Sequence, residues 1–135
     1  MENWTIAKSY QAFKDKKVKP SEVVGEYLTE IEKINPDLNA YLTVAKEYAL
    51  NQARESDQRY ASGKNLGPLD GSSVAIKDII NTAGVCSTSA SKMLENFVPP
   101  YDATVISKLK NSGLVMLGKA NTDEFACGSS TEYSF

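Results

Sequence analysis

The sequence predicts an α/β chain, helical over residues 1–65 and α/β over 66–135, forming one portion of a single domain. Three observations carry this. Apolar residues recur at three- and four-residue steps through the first half. An apolar, β-branched run at 74–80 and an apolar run at 114–117 flank a helical stripe in the second half. Gly-, Pro- and Asn-containing stretches separate these segments.

Ile6, Tyr10 and Phe13 mark a first helix. A second follows Pro20, with Ser21 as its expected N-cap and Val23, Val24, Tyr27, Leu28, Ile31 and Ile34 as its apolar stripe. Asn35-Pro36 is expected to end it. Residues 39–44 read as a short extended segment, and 45–61 as a helix stopped by Gly63. The stretch 62–73 is a loop, and 74–80 resembles a buried strand interrupted by Lys77 and Asp78. After a small-residue loop, Asp102 is expected to cap a helix containing Val105, Ile106 and Leu109, closed by Gly113. With 114–117 as a second strand, the pattern is a βαβ unit of a parallel sheet. Asn121 or Thr122 then opens a short helical turn. Two parallel strands are few for this many helices, so the chain reads as a piece of a larger one.

Composition narrows the chemistry. The 135 residues carry 15 basic and 17 acidic side chains, a net charge of -2. The cluster Lys14, Lys16, Lys17 and Lys19 reads as a solvated helix end, and no basic stripe argues for nucleic acid. No run approaches the ~20 apolar residues of a membrane span, and the first residues do not resemble a secretory signal, so a cytoplasmic location is expected. Histidine is absent, which excludes Ser-His-Asp and Cys-His arrangements and histidine-dependent zinc sites within these residues. No metal site is expected. Cys86 and Cys127 read as free thiols packed as small hydrophobes.

Lys77 is the candidate that chemistry singles out. An ammonium within an apolar run is costly to bury, and burial lowers a lysine pKa from ~10.4, which frees the amine to act as a base. The alternative is a strand-end lysine that reaches water or pairs with Asp78. Ligands in open α/β sheets bind beyond the carboxyl ends of strands, where Lys77 lies. Asp123 and Glu124 read as the acidic first turn of a helix rather than an acid–base pair.

Several blocks of this sequence resemble the amidase signature family. Gly67-Pro68-Leu69-Asp70-Gly71 followed by Val74-Ala75-Ile76-Lys77-Asp78 is similar to its lysine motif. The blocks 90–97, 100–105 and 117–126, then Gly128-Ser129-Ser130-Thr131-Glu132, resemble the A subunits of tRNA-dependent amidotransferases in particular. The resemblance implies the N-terminal portion of a single amidase domain, holding the start of a mixed central sheet wrapped by helices. It implies Lys77 as the general base of a serine, cis-serine, lysine device, in which the amine draws a proton from a bridging serine and that serine draws one from the nucleophile. Both serines lie later in such proteins, in a Gly/Ser-rich segment with no counterpart in these residues, so the chain alone is expected to be inactive. Ser129 and Ser130 are therefore not taken as nucleophiles. Cys127, Gly128 and Ser129 are implied to contact the amide substrate; the other reading makes them a helix terminus that satisfies backbone groups.

The resemblance further implies release of ammonia from glutamine. It implies partner B and C subunits that complete the complex, ATP and magnesium bound in the partner rather than here, and conversion of mischarged Glu-tRNA(Gln) to Gln-tRNA(Gln). The sequence departs from the family at Ser72-Ser73, where an apolar residue and proline are usual, at Ile79, where asparagine is common, and at Cys127, where these subunits have methionine. Two other readings stay open: a free-standing amidohydrolase of the same family, and a short non-catalytic binding or scaffolding product.

Overall fold

The structure, a computed structural model, describes residues 3–135; the expected helical start at Met1 and Glu2 lies outside them. Thr5 caps α1 (Ile6–Lys14) by accepting the Lys8 N–H, and Phe13 is buried on its inner side. Lys14, Lys16, Lys17 and Lys19 are all exposed, as a solvated helix end requires. α2 (Pro20–Leu38) begins before Ser21. Pro20 takes the first helical position, where a missing N–H is no loss, and Glu22 accepts the Lys19 N–H at 2.7 Å. Ser21 caps nothing; its N–H and hydroxyl go to Asp57 of the next helix at 3.0 and 2.5 Å.

Nor does α2 end at Asn35-Pro36. It runs on to Leu38 and closes at Asn39, which adopts a left-handed conformation at φ 48°. The Asn35 side chain holds both backbone groups of Tyr41, at 2.8 and 3.0 Å, and so fastens the last turn to β1 (Tyr41–Val44). That tertiary bond outweighs the local preference before proline. α3 (Lys46–Ala61) follows as expected, with Ala49, Ala53 and Ser56 buried and Gly63 at φ 70° just beyond its end.

β2 (Ser73–Lys77) and β3 (Val115–Ala120) pair in parallel, joined by the crossover helix α4 (Thr104–Asn111). β1 pairs antiparallel with β3, so the sheet is mixed, in the order β1-β3-β2. Val115 and Leu117 face α2 and α3, in a cluster with Val24, Leu28, Ile31, Ala49 and Ala53. Met116 points the other way, towards Ile76, Val85 and Ile106. A central strand buried on both faces explains the unbroken apolar run at its start.

Three expectations need correction here. β2 stops at Lys77, three residues early, and as an edge strand it leaves Ala75 and Lys77 exposed. β3 extends three residues beyond Leu117 and takes in Lys119. Asp102 does not cap α4: it accepts the Ala83 N–H at 2.8 Å and pairs with Lys110 at 2.5 Å, tying the loop after β2 to the helix.

The loop at 62–73 is fastened by one buried carboxylate. Asp70 receives Arg59 through two bonds, Nε at 3.0 Å and Nη2 at 2.6 Å, with Ser56 Oγ at 2.7 Å and the Leu66 N–H at 2.9 Å. Gly113, at φ 77°, packs against it so closely that a Cβ there would sit 2.4 Å from Asp70 Oδ1. Among the described residues no helix is long and apolar enough to cross a membrane.

Candidate functional site

The carboxyl end of β2 is where three irregular segments meet. Asp78 donates its N–H to the Ala120 carbonyl at 3.0 Å, continuing the ladder by one bond. The chain then turns, with the Ile80 N–H closing on the Lys77 carbonyl at 3.0 Å. Asp78 is fully buried and turns away from Lys77. Its Oδ2 accepts the Thr88 N–H and hydroxyl at 3.0 and 2.5 Å and the Ala90 N–H at 3.3 Å. Asp78 therefore folds its own loop back under the strand and does not neutralise its neighbour. Lys77 is left exposed at the strand mouth, its ammonium making no hydrogen bond or ion pair among the described residues.

The lysine that the sheet buries is Lys119, fully shielded from solvent. A register shift inserts Leu117 opposite the Val74–Ala75 step, so Lys119 pairs with Ile76 and takes that residue's inward face. Its Nζ donates to the Ile80 carbonyl and to Ser87 Oγ, the latter at 2.7 Å. Burial pushes its ammonium below the ordinary lysine value, against the opposing pull of Asp78 and Cys86. Sequence reasoning missed this residue. The signal was there, in a lysine two residues past the expected end of a buried strand.

The segment carrying Cys127, Gly128 and Ser129 lies against the same loop. The Phe125 N–H reaches the Ser89 carbonyl at 2.8 Å, and Ser91 Oγ donates to Glu124 at 2.6 Å. Ser89, Ala90, Phe125 and Ala126 all have φ between 51° and 58°, a region that side chains other than glycine's occupy at a cost of about 1 kcal/mol or more each. Such strain persists where the surroundings over-determine it, and it clusters at functional sites. Cys127, Gly128 and Ser129 are exposed, so Cys127 is not packed as a small hydrophobe, whereas Cys86 is half-buried with its thiol against the Glu95 carbonyl.

Asp123 and Glu124 do open a short helical turn, Glu124–Ala126, but it starts at Asp123 rather than at Asn121 or Thr122, and the Asp123 side chain does not cap it. Its two oxygens instead accept the Tyr133 and Thr131 N–H groups at 3.0 Å each, which hold its carboxyl below the usual aspartate value. The 128–133 loop is thereby wrapped around one carboxylate. Gly128 passes so near that an added Cβ would fall 2.4 Å from Asp123 Oδ2. The structure thus brings the β2 end, the 88–91 turn and the 123–133 loop into one hydrogen-bonded surface.

Comparison with known proteins agrees with this fold. A family model described as Amidase matches residues 22–135. The chain is 48% identical to the A subunit of the glutamyl-tRNA(Gln) amidotransferase of Dehalococcoides mccartyi, over 96% of its own length and 26% of that protein's. It is 50% identical to the corresponding protein of Carboxydothermus hydrogenoformans, over 92% and 26%. The fold is similar to that of the native peptide amidase of Stenotrophomonas maltophilia, with a TM-score of 0.84 at 29% identity, covering 89% of this chain and 25% of that one. The chain therefore spans about a quarter of the length of the curated relatives it matches.

Proposed function

Because this chain belongs to the amidase signature family, we propose that it is part of the A subunit of a tRNA-dependent amidotransferase, the cytoplasmic component that releases ammonia from glutamine. The observation that carries this reading is Lys77, exposed at the carboxyl end of β2 on a backbone fixed from both sides, in a chain about half identical to such subunits. In the proposed reaction the Lys77 amine accepts a proton from a bridging serine, which accepts one from the nucleophilic serine. The serine oxygen bonds to the amide carbon of glutamine. The carbon–nitrogen bond then breaks, the proton returns to the departing nitrogen, and ammonia leaves. Water cleaves the resulting ester to glutamate. Both serines belong to the remainder of the full-length protein.

Ammonia then passes to a B subunit, which holds ATP and magnesium and activates the mischarged glutamate of Glu-tRNA(Gln); a C subunit braces the pair. A free-standing amidohydrolase is the competing reading, favoured by the fold likeness to peptide amidase. Glutamine labelled at the amide nitrogen separates the two. With the full-length protein and its B and C partners, the label is expected in Gln-tRNA(Gln) only when ATP is present. Labelled ammonia released to solvent with no transfer under any condition would assign the protein to the amidohydrolases.

Cys127, Gly128 and Ser129 are proposed to line the glutamine pocket. Gly128→Ala in the full-length protein is expected to raise KM for glutamine about 10-fold, because the new methyl displaces the Asp123 carboxylate and with it the loop. The effect on kcat should be smaller. Steady-state kinetics with the partner subunits at saturation checks this, and an unchanged KM would remove the loop from the pocket.

A further inference from the structure

Lys119 is a fully buried ammonium in the strand beside that of Lys77, and the amide cleavage described above makes no use of it. Its bonds are aimed at the turn that follows Lys77. Nζ donates to the Ile80 carbonyl and to Ser87 Oγ. Ile80 is also the residue whose N–H closes on the Lys77 carbonyl. Between them, Asp78 gives its N–H to Ala120, the residue after Lys119, and its carboxylate gathers Thr88 and Ala90 from the far limb of the same loop. The backbone around Lys77 is therefore gripped twice from β3, by the Ala120 carbonyl and by the Lys119 ammonium.

Stability is a poor explanation for placing a lysine here. Taking an ammonium out of water is costly even after relaxation, and apolar side chains of similar volume are often as stable or more so. Ile76, which pairs with Lys119, is apolar, and the opposing charge nearby, the buried Asp78 carboxylate, already has Thr88 and Ala90 as partners. A methionine would match the reach of the lysine stem. What the lysine adds is a donor for the Ile80 carbonyl and the Ser87 hydroxyl, and with it a defined course for residues 77–80.

We infer that Lys119 is a positioning residue for amide cleavage: it fixes the turn after β2 so that the Lys77 amine is held towards the bridging serine. This rests on the reading of Lys77 as the base. A base displaced by about 1 Å loses roughly 100-fold in rate while substrate contacts elsewhere persist. The test uses the full-length protein assembled with its B and C partners, with ammonia release measured per assembled molecule. Lys119→Met is expected to lower kcat about 100-fold and to leave KM for glutamine within about 3-fold.

Lys77→Ala, assayed in parallel, separates the base from the residue that positions it. Turnover retained in Lys77→Ala overturns the base assignment, and this inference falls with it. An inactive Lys77→Ala beside a Lys119→Met protein with wild-type kcat overturns this inference alone, even if the melting temperature has dropped. Should Lys119→Met fail to assemble, Ser87→Ala decides, since it removes one acceptor and little bulk. A kcat reduced about 5-fold at constant KM supports the positioning role. A wild-type kcat in Ser87→Ala refutes it.

Discussion

Lys77→Ala in the full-length, assembled protein is expected to lower kcat for ammonia release by at least about 10³-fold, the upper part of the range for a positioned general base. That is about 4 kcal/mol of transition-state stabilisation. Lys77→Arg should fare no better, because a guanidinium does not deprotonate near neutral pH and has no free amine to accept a proton. The geometry makes this a clean substitution. Lys77 is exposed and its ammonium has no partner among the described residues, so its loss should alter stability by no more than about 0.5 kcal/mol. A dead but fully folded enzyme is the expected pair of results, read by kinetics and thermal unfolding on the same preparation.

The largest stability effect is expected at Asp70. The side chain is fully buried and takes bonds from Arg59, Ser56 and Leu66, so it joins α3 to the loop that leads into β2. Asp70→Ala leaves the Arg59 guanidinium without its fork and should cost about 3 kcal/mol, near the low end for breaking a buried pair, because Arg59 keeps partial access to water. Urea unfolding of the chain checks the figure. Burial by itself would raise the Asp70 carboxyl; the Arg59 bonds, the Leu66 N–H and the Ser56 hydroxyl outweigh it and hold the group below the ordinary aspartate value of 3.8. The stabilisation is therefore complete above 3.8 and disappears as pH falls through the lower folded value. Wild type and Asp70→Ala should differ fully at neutral pH and converge in acid.

Much of this architecture was legible because its elements obey local rules. The stripe from Val23 to Ile31, the alanine face of α3, and Gly63 and Gly113 beyond their helices all behave as spacing and backbone chemistry demand. Departures came where a side-chain bond outside the helix overrode a local preference. Pro36 stays inside α2 because Asn35 is committed to Tyr41, and Asp102 leaves its capping position for Ala83 and Lys110.

The site was less legible, for a related reason. An apolar run predicts burial at Lys77, yet edge position and alternation leave it exposed, while a one-residue register shift in β3 turns Lys119 inward. No periodicity foresees a bulge. The left-handed residues at 89–90 and 125–126 were equally hidden, since none is glycine or asparagine. The motif around Lys77 pointed to the end of β2, and the bonds that fix the backbone there emerged only from the three-dimensional structure.

The most direct measurement is acid-quench trapping of the covalent glutamyl-enzyme during the first turnover of glutamine, in wild type and Lys77→Ala. If the Lys77 amine drives proton removal from the serines, wild type accumulates the ester and the variant forms none above background. An equal amount of ester in both proteins, formed at the same rate, would contradict that role and leave Lys77 as a surface residue at the end of a strand.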